Sequence, residues 1–220
     1  MKNKLPILQR RIDAEVKKAA QGSRVSCKKG CGSCCSQWVG VYYTEAVEAV
    51  AEAKRVGYKI DPNRLLRQLK IANDPETTRE SWFLSAGPCV FLDATGSCGV
   101  YEKRPIACRL VLVGSPPEFC AKVDGIVAKV PTSDIAQIGY NDLKKENAAH
   151  GYGLGVFPLP VAVANVISGH HVSRIGMRNQ IYGLNGETSD PYHKIEDGKG
   201  IGSTTDAATG SGDAPSPPSV

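Results

Sequence analysis

The stretches CKKGCGSCC at residues 27–35 and PCVFLDATGSCGVYEKRPIACRLVLVGSPPEFC at residues 88–120 contain all eight cysteines of this 220-residue chain. Four of these cysteines fall within nine residues, and the other four are spread over thirty-two. Eight cysteines are too many for incidental core filling, and 23 glycines with 14 prolines indicate many turns and irregular loops. Because such loops need something other than a hydrophobic core to hold them, these two stretches decide the fold.

Clustered cysteines of this kind are typical of a metal site. Thiolates are soft ligands for zinc, iron and iron–sulfur clusters. Gly30 and Gly32 allow a turn that brings neighbouring cysteines to one centre, and Lys28 and Lys29 offset part of the thiolate charge. We favour this interpretation over buried apolar cysteines with a few disulfides. The candidate metal ligands are Cys27, Cys31, Cys34, Cys35, Cys89, Cys98, Cys108 and Cys120.

The adjacent pair Cys34 and Cys35 restricts how the ligands can be shared. Neighbouring side chains point in opposite directions in a strand and about 100° apart on a helix, so the pair does not suit one mononuclear ion. Two arrangements remain open. Either two four-thiolate sites interleave, each taking one cysteine of the pair, or one iron–sulfur cluster uses four cysteines and the others are structural or redox-active. The spacings match neither a paired CxxC zinc ribbon nor a bacterial ferredoxin, so they leave zinc and iron both open.

The two stretches also resemble a known family. The pattern CxxxCxxCC, followed by CxFLDxxGxCxVYExRPxxCR and a last cysteine, is similar to the YkgJ-type cysteine-cluster family, the CxxCxxCC family of zinc- or iron-chelating domains. The resemblance covers residues 27–120 and implies that all eight cysteines are candidate ligands. It implies a type of site rather than a reaction.

Hydrophobic periodicity and capping residues predict a fold that is mainly α with irregular loops: a small helical domain around a cysteine-rich metal-binding knuckle, with few short strands. Residues 81–120 are expected to be dominated by loops, with a short hairpin around residues 94–97. The predicted helices are residues 6–21, a helix that follows Thr44, a helix from Pro62 to about Ile71 capped by Asp61, a helix from Ser133 or Asp134 to Ala149, and a short helix after Pro160.

Residues 1–182 are expected to form a single cysteine-cluster domain with its core motif at residues 27–120. Apolar periodicity ends near Gly183, and residues 198–220 consist mostly of small and polar residue types. Such a composition cannot offset its ordering entropy by burial. Residues 183–220 are therefore predicted to be a polar tail rich in Gly, Ser and Pro that is flexible or ordered by a partner.

The net charge of +5 is concentrated at the start of the chain, where residues 1–30 hold nine Lys or Arg against Asp13 and Glu15. No aromatic residues interleave with these charges, which favours a solvated helix face over a nucleic-acid surface. The candidate partner is a protein that binds the basic N-terminal helix and the polar C-terminal tail.

No apolar run approaches the ~20 residues of a membrane span, and residues 1–11 lack the apolar region of a secretory signal. We therefore expect a cytoplasmic protein without a membrane partner, in a compartment that keeps thiols reduced.

Other polar residues give weaker signals. Arg104 or Arg109 is expected either near the thiolates, where it would donate to sulfur, or in an ordinary surface pair with Glu102. The glycines of GYGLG at residues 151–155 follow a predicted helix and indicate a loop rather than a nucleotide site. None of the four histidines lies at close ligand spacing to a cysteine, so a mixed site is a minor hypothesis: His150, His170, His171 and His193.

Three functions remain open on these grounds. The leading hypothesis is a metal-binding protein that coordinates zinc, iron or an iron–sulfur centre through its clustered cysteines. The first alternative is an iron-dependent redox or protein-modifying enzyme, for which no catalytic residue can be named. The second is a structural or assembly module in which the metal is purely structural. The sequence contains no GxSxG, HExxH or GxxxxGK[ST] motif, so it assigns no enzyme class.

Overall fold

The computed structural model describes residues 4–122, 132–153 and 155–169. Within these ranges the chain is mainly helical with irregular loops, and one two-stranded sheet is present, as predicted. The helices are α1 (Leu5–Ala20), α2 (Tyr43–Arg55), α3 (Pro62–Ala72), α4 (Arg79–Ser85), α5 (Ile106–Arg109), α6 (Pro117–Cys120), α7 (Ser133–Ala149) and α8 (Leu159–Ile167). The strands are β1 (Gly40–Val41) and β2 (Phe157–Pro158), and short 3₁₀ turns cover Ser33–Ser36 and Tyr101–Lys103.

Helix α1 is the predicted amphipathic helix. Its apolar side buries Leu5, Leu8 and Ile12, which pack with Ile106 of α5 and Leu143 of α7. Its basic residues lie mainly on the outer side, where Lys18 pairs with Glu15 of the same helix and other cations remain exposed. The hydrophobic effect therefore seats α1 against the helix that carries Cys108.

The larger part of the core lies between α2, α8 and the small sheet. Strands β1 and β2 pair antiparallel, with Gly40 opposite Pro158 and Val41 opposite Phe157. The buried core side chains here are Val41, Tyr43, Ala46, Ala49, Val50, Ala53, Val90, Phe91, Val100, Phe157, Leu159, Ala162 and Val163. Phe91 and Val100 come from the second cysteine stretch, so its intervening loop is anchored by its own apolar residues.

The predicted start of α3 and the predicted ends of α2 and α7 are confirmed, whereas α2 begins at Tyr43 and so already includes Thr44. The Asp61 carboxylate accepts from the backbone N–H groups of Asn63 and Arg64 at the start of α3, at 2.9 and 3.3 Å. Gly57 and Gly151 follow α2 and α7 with φ of +70° and +76°, the left-handed conformation that favours glycine.

The prediction of a loop-dominated segment at residues 81–120 is confirmed, although short helices interrupt it. Leu92 and Cys98 form the antiparallel bridge of the predicted hairpin. The same segment also contains most of α4 and the single-turn helices α5 and α6, which carry Cys108 and Cys120. These elements are too short for periodicity to reveal them.

Some predictions fall on residues outside the described ranges: the boundary at residue 183, the polar tail, His170, His171 and His193. In the part of the chain that the structure describes, none of the helices is both long enough and apolar enough to cross a membrane.

Candidate metal centre

The first cysteine segment, residues 27–35, is shaped by local turns. Gly30 adopts a φ of +85°, and the Cys31 N–H donates to the Lys28 carbonyl at 3.1 Å. Cys34 and Cys35 follow on the 3₁₀ turn Ser33–Ser36, where the Cys35 N–H donates to the Gly32 carbonyl at 2.9 Å. The positions of Cys31, Cys34 and Cys35 are therefore stabilised within the segment itself.

Gly32 brings this segment against the hairpin of the second segment. A Cβ atom at Gly32 would stand 2.8 Å from the Gly96 carbonyl oxygen and 2.9 Å from a methyl group of Leu92. Only a glycine permits so close an approach to backbone. The cysteines of the two segments are brought near one another at this contact.

Two further contacts join the segments. The Cys89 N–H donates to the Cys35 carbonyl at 2.8 Å, which ties the start of the second segment to the 3₁₀ turn. On the other side, the Val113 N–H donates to the Cys27 sulfur at 3.3 Å, and the Ser26 N–H donates to the Val113 carbonyl at 2.7 Å. Helix α6, which ends at Cys120, packs against the Ser33–Ser36 turn.

The buried carboxylate of Glu45 holds α5 in place. Its Oε1 accepts from the Ile106 N–H at 2.7 Å, and its Oε2 accepts from the Tyr42 N–H at 2.9 Å. The first bond satisfies a backbone donor at the start of the helix that carries Cys108. Burial raises the pKa of Glu45 to about 7, although the two N–H donors and the nearby Arg109 act in the opposite direction.

The adjacent thiols of Cys34 and Cys35 share a hydrogen bond. This bond lowers the pKa of Cys34 to about 7 and raises the pKa of Cys35. Cys34 is therefore the sulfur of this pair that ionises first, and a thiolate is the form that binds metal.

Burial dominates the remaining shifts. Burial raises the pKa of Cys89 to about 12 and the pKa of Cys108 well above its usual range. Burial also raises the pKa values of Cys27, Cys98 and Cys120. Protons on such thiols are costly to remove unless a cation takes their place, so this environment favours thiolates only when a metal is bound.

Beside burial, the charges of other thiols raise the pKa of several cysteines, and they indicate which cysteines lie within electrostatic reach of one another. The pKa of Cys120 is raised by Cys34, Cys27 and Cys31, whereas the pKa of Cys35 is raised by Cys34, Cys89 and Cys108. The pKa of Cys108 is raised by Cys89, Cys34 and Cys98. Cys34 acts on thiols in both neighbourhoods. We use two names for these neighbourhoods: the Cys27 set (Cys27, Cys31, Cys34 and Cys120) and the Cys89 set (Cys35, Cys89, Cys98 and Cys108).

The two sets differ from the grouping along the sequence. Cys120 comes last in the chain but neighbours the first cysteines, and Cys35 neighbours the later ones. All eight cysteines are free thiols. Within the described ranges, no three cysteine, histidine or carboxylate side chains already stand in an arrangement that could hold a metal ion. The chemistry of the donors, eight thiols in two neighbourhoods, nevertheless fits zinc or iron.

Arg109 does not point to the thiols. Its buried guanidinium donates to the Asp13 carboxylate and to the backbone carbonyls of Glu102 and Arg104. It therefore joins α1 to the turn that precedes α5. The expectation of a bond from Arg109 to sulfur is not met. Among the described residues, the Glu102 carboxylate pairs with neither arginine and instead lies 3.8 Å from Lys29.

Arg104 lies closer to the cysteines. Its charge is among the influences that lower the pKa of Cys98 against the effect of burial. Its guanidinium also stacks over the Tyr101 ring at 4.0 Å and donates to the Tyr101 carbonyl. Arg104 therefore contributes positive charge beside the Cys89 set while its hydrogen bond goes to backbone.

Two other signals have structural explanations. The His150 Nδ1 lies 2.9 Å from the Glu146 carbonyl oxygen at the end of α7, so this ring nitrogen is engaged by its own helix. The described glycines of GYGLG form a turn and loop between α7 and β2, as the sequence predicts.

Sequence reasoning missed Glu45 and the α3 side chains that contact the Cys89 loop, because an acidic or basic residue in an early helical turn carries no signal of a distant partner.

The described part of the chain is mainly helical and contains eight free thiols. Among protein-family models, residues 26–124 match the family CxxCxxCC, described as "Putative zinc- or iron-chelating domain". The family model thus matches the region that carries the cysteine pattern, and the resemblance seen in the sequence is confirmed. No curated protein and no solved structure matches the chain. The match supports metal binding by this domain.

Proposed function

We propose that the chain binds zinc or iron through two interleaved groups of four thiolates. The Cys27 set would hold one centre and the Cys89 set the other. The observation that carries this proposal is that Cys120 lies within electrostatic reach of Cys27 and Cys31, whereas Cys35 lies within reach of Cys89 and Cys108. Cys34 is within reach of thiols in both groups. Metal binding would replace the hydrogen bond between the Cys34 and Cys35 thiols and give each centre one sulfur of the pair.

The contacts between the segments support this arrangement. The Cys35 carbonyl already accepts from the Cys89 N–H, and the Cys27 sulfur already accepts from the Val113 N–H in the segment that leads to Cys120. Each set therefore has a backbone contact that joins its two parts before any metal is bound. Metal binding couples to further ordering, because the ligands must lose their protons and come together at once.

The space around the thiols favours a metal-binding role over the enzymatic alternative. The cavity that touches Cys35 and Cys89 is walled by Gln68 and Trp82 and has a volume of about 20 Å³. That volume accommodates about one water molecule. A wider groove of about 430 Å³ lies between α1 and α7, and its described lining contains no cysteine. Neither space would bring an organic substrate to the thiols.

Element-resolved metal analysis of the anaerobically purified full chain tests the proposal. We expect close to two equivalents of zinc, or iron with absorbance near 400 nm if the centres are iron–sulfur clusters. A preparation that contains neither metal, and takes up neither on reconstitution, would refute the proposal.

Two matched double variants test the grouping. Cys31→Ser with Cys120→Ser removes two ligands of the Cys27 set, and Cys89→Ser with Cys98→Ser removes two ligands of the Cys89 set. Each variant should keep about half of the metal of the parent chain. Complete loss of metal in both variants would favour a single shared cluster instead.

A further inference from the structure

Side chains from α3 and from the loop before it hold the backbone that leads into the Cys89 set. Arg64 Nη1 donates to the Cys89 carbonyl at 3.1 Å and to the Leu92 carbonyl at 2.6 Å. Gln68 Nε2 donates to the Pro88 carbonyl at 2.8 Å, and the Tyr58 hydroxyl donates to the Val90 carbonyl at 3.2 Å. These four backbone carbonyls are thus held by side chains of residues that are distant in the chain.

Arg64 has a special place among these donors. The Leu92 N–H donates to the Cys89 carbonyl at 2.9 Å, so Arg64 binds both ends of one tight turn. Leu92 also forms the antiparallel bridge with Cys98. The guanidinium therefore fixes the turn that begins at Cys89 and, through Leu92, the strand position of Cys98.

The Arg64 charge also reaches the sulfur. It is one of the influences that lower the pKa of Cys89 against the larger effect of burial. Arg67, which lies one turn further along α3, instead donates a longer bond of 3.4 Å to the Ala86 carbonyl, ahead of Cys89 in the chain. The two arginines thus differ in how directly they hold a cysteine.

We propose that Arg64 is a positioning residue for the Cys89 set, whose guanidinium holds the turn of Cys89 and Leu92 so that the sulfurs of Cys89 and Cys98 face a common metal. This inference rests on the proposed function. It goes further by assigning a residue outside residues 88–120 to the assembly of one centre and not the other. In the Cys27 set, Cys31 and Cys34 are held by turns within residues 27–35, so this set should not depend on Arg64.

The test uses the full chain, reconstituted anaerobically with Zn²⁺ alone, and compares Arg64→Gln with the matched control Arg67→Gln. Glutamine keeps the helix propensity and removes the guanidinium. Each protein is treated with iodoacetamide, and labelling is followed cysteine by cysteine by mass spectrometry. Zinc transfer to a competing chelator gives the affinity, and circular dichroism reports the helical fold.

Arg64→Gln should label Cys89 and Cys98 about 10-fold faster than the parent chain and weaken one zinc equivalent by about 10-fold, as expected when a contact that orients a metal ligand is lost. Cys27 and Cys31 should stay protected, and Arg67→Gln should behave like the parent. A merely structural role would change the labelling of all eight cysteines together.

Equal labelling patterns in Arg64→Gln and Arg67→Gln would overturn the inference while leaving the proposed function intact. Absence of any zinc protection in the parent chain would overturn the proposed function and the inference with it. If Arg64→Gln loses its helical signal, Arg64→Lys provides the same comparison, since lysine keeps the charge without the planar fork. Selective labelling of Cys89 and Cys98 in that variant supports the inference, and uniform labelling contradicts it.

Discussion

The two cysteine segments, residues 27–35 and residues 89–108, are held by different kinds of contact. The first is shaped by turns within itself, at Gly30 and at the Ser33–Ser36 turn. The second depends on distant residues: Arg64 binds the turn that begins at Cys89, and Glu45 binds the start of α5 before Cys108.

This difference has a physical meaning for metal binding. Closely spaced ligands lose little chain entropy when they converge, because the loops between them are short. Ligands that are spread further along the chain need other contacts to order it beforehand. We therefore expect changes at distant positions to affect Cys89, Cys98 and Cys108 more than Cys27, Cys31 and Cys34.

The largest expected effect comes from removal of a ligand in the buried segment. Cys108→Ser should lose the metal of the Cys89 set and lower the free energy of unfolding by roughly 3–5 kcal/mol, because site assembly contributes directly to folding. Metal content and urea denaturation under anaerobic conditions measure both quantities. Cys31→Ser is the matched variant in the first segment and should cost less stability; an equal loss would contradict the contrast between the segments.

The next effect concerns pH and the buried Glu45. Its pKa is raised to about 7 from an ordinary value of 4.5, so the folded chain holds a proton that the unfolded chain releases. This proton adds its full contribution to the free energy of unfolding below about pH 4.5, and the contribution is lost as pH rises through about 7. At about 1.36 kcal/mol for each pKa unit, the contribution is roughly 3 kcal/mol.

Glu45→Gln isolates this contribution, because the glutamine does not titrate. The free energy of unfolding should fall less steeply between about pH 5 and about pH 7 in the variant than in the parent, as measured by denaturation at each pH. Parallel curves for the two proteins would show that Glu45 stays ionised in the fold.

A third prediction tests the contact between the segments. Gly32→Ala places a Cβ atom against the Gly96 carbonyl oxygen and Leu92, and backbone cannot move aside cheaply. We expect a loss of about 1–3 kcal/mol, typical of overpacking, and weaker binding of metal at both sets. Gly22→Ala is the control for crowding, because a Cβ atom there would meet no described atom within 4 Å. Its φ of +79° gives this control a conformational cost of its own. Full metal binding in Gly32→Ala would mean that the segments need not lie so close.

The smallest effect is expected at the cap of α3. Asp61→Ala removes the acceptor for two backbone N–H groups and should cost about 1 kcal/mol. Asp61→Asn is the control, because asparagine also caps helices well. The midpoint of thermal unfolding should therefore fall slightly. Because α3 contacts the turn that begins at Cys89, the labelling of Cys27 should stay unchanged. Faster labelling of Cys27 would show that the first segment depends on α3 as well.

Much of the architecture could be predicted from local sequence. The spacing of Leu5, Leu8 and Ile12 predicted α1, and Asp61 followed by Pro62 predicted the start of α3. These signals act within a few residues, so the sequence carries them directly. The antiparallel pairing of β1 with β2 was not predicted, because two short strands so far apart in the chain leave no periodic pattern.

The sequence by itself determined the eight candidate thiols, their close spacing in residues 27–35 and the resemblance to the family whose model residues 26–124 match. It also predicted that Cys34 and Cys35 diverge, whereas the structure places a hydrogen bond between the two thiols. Only the tertiary structure decided that Cys120 neighbours the first segment, that Arg109 binds Asp13 rather than sulfur, and that Glu45 and Arg64 hold the second segment. The physical reason is the range of the interactions: turns and caps are fixed by neighbours in the chain, whereas these contacts join residues that meet only after the helices have packed.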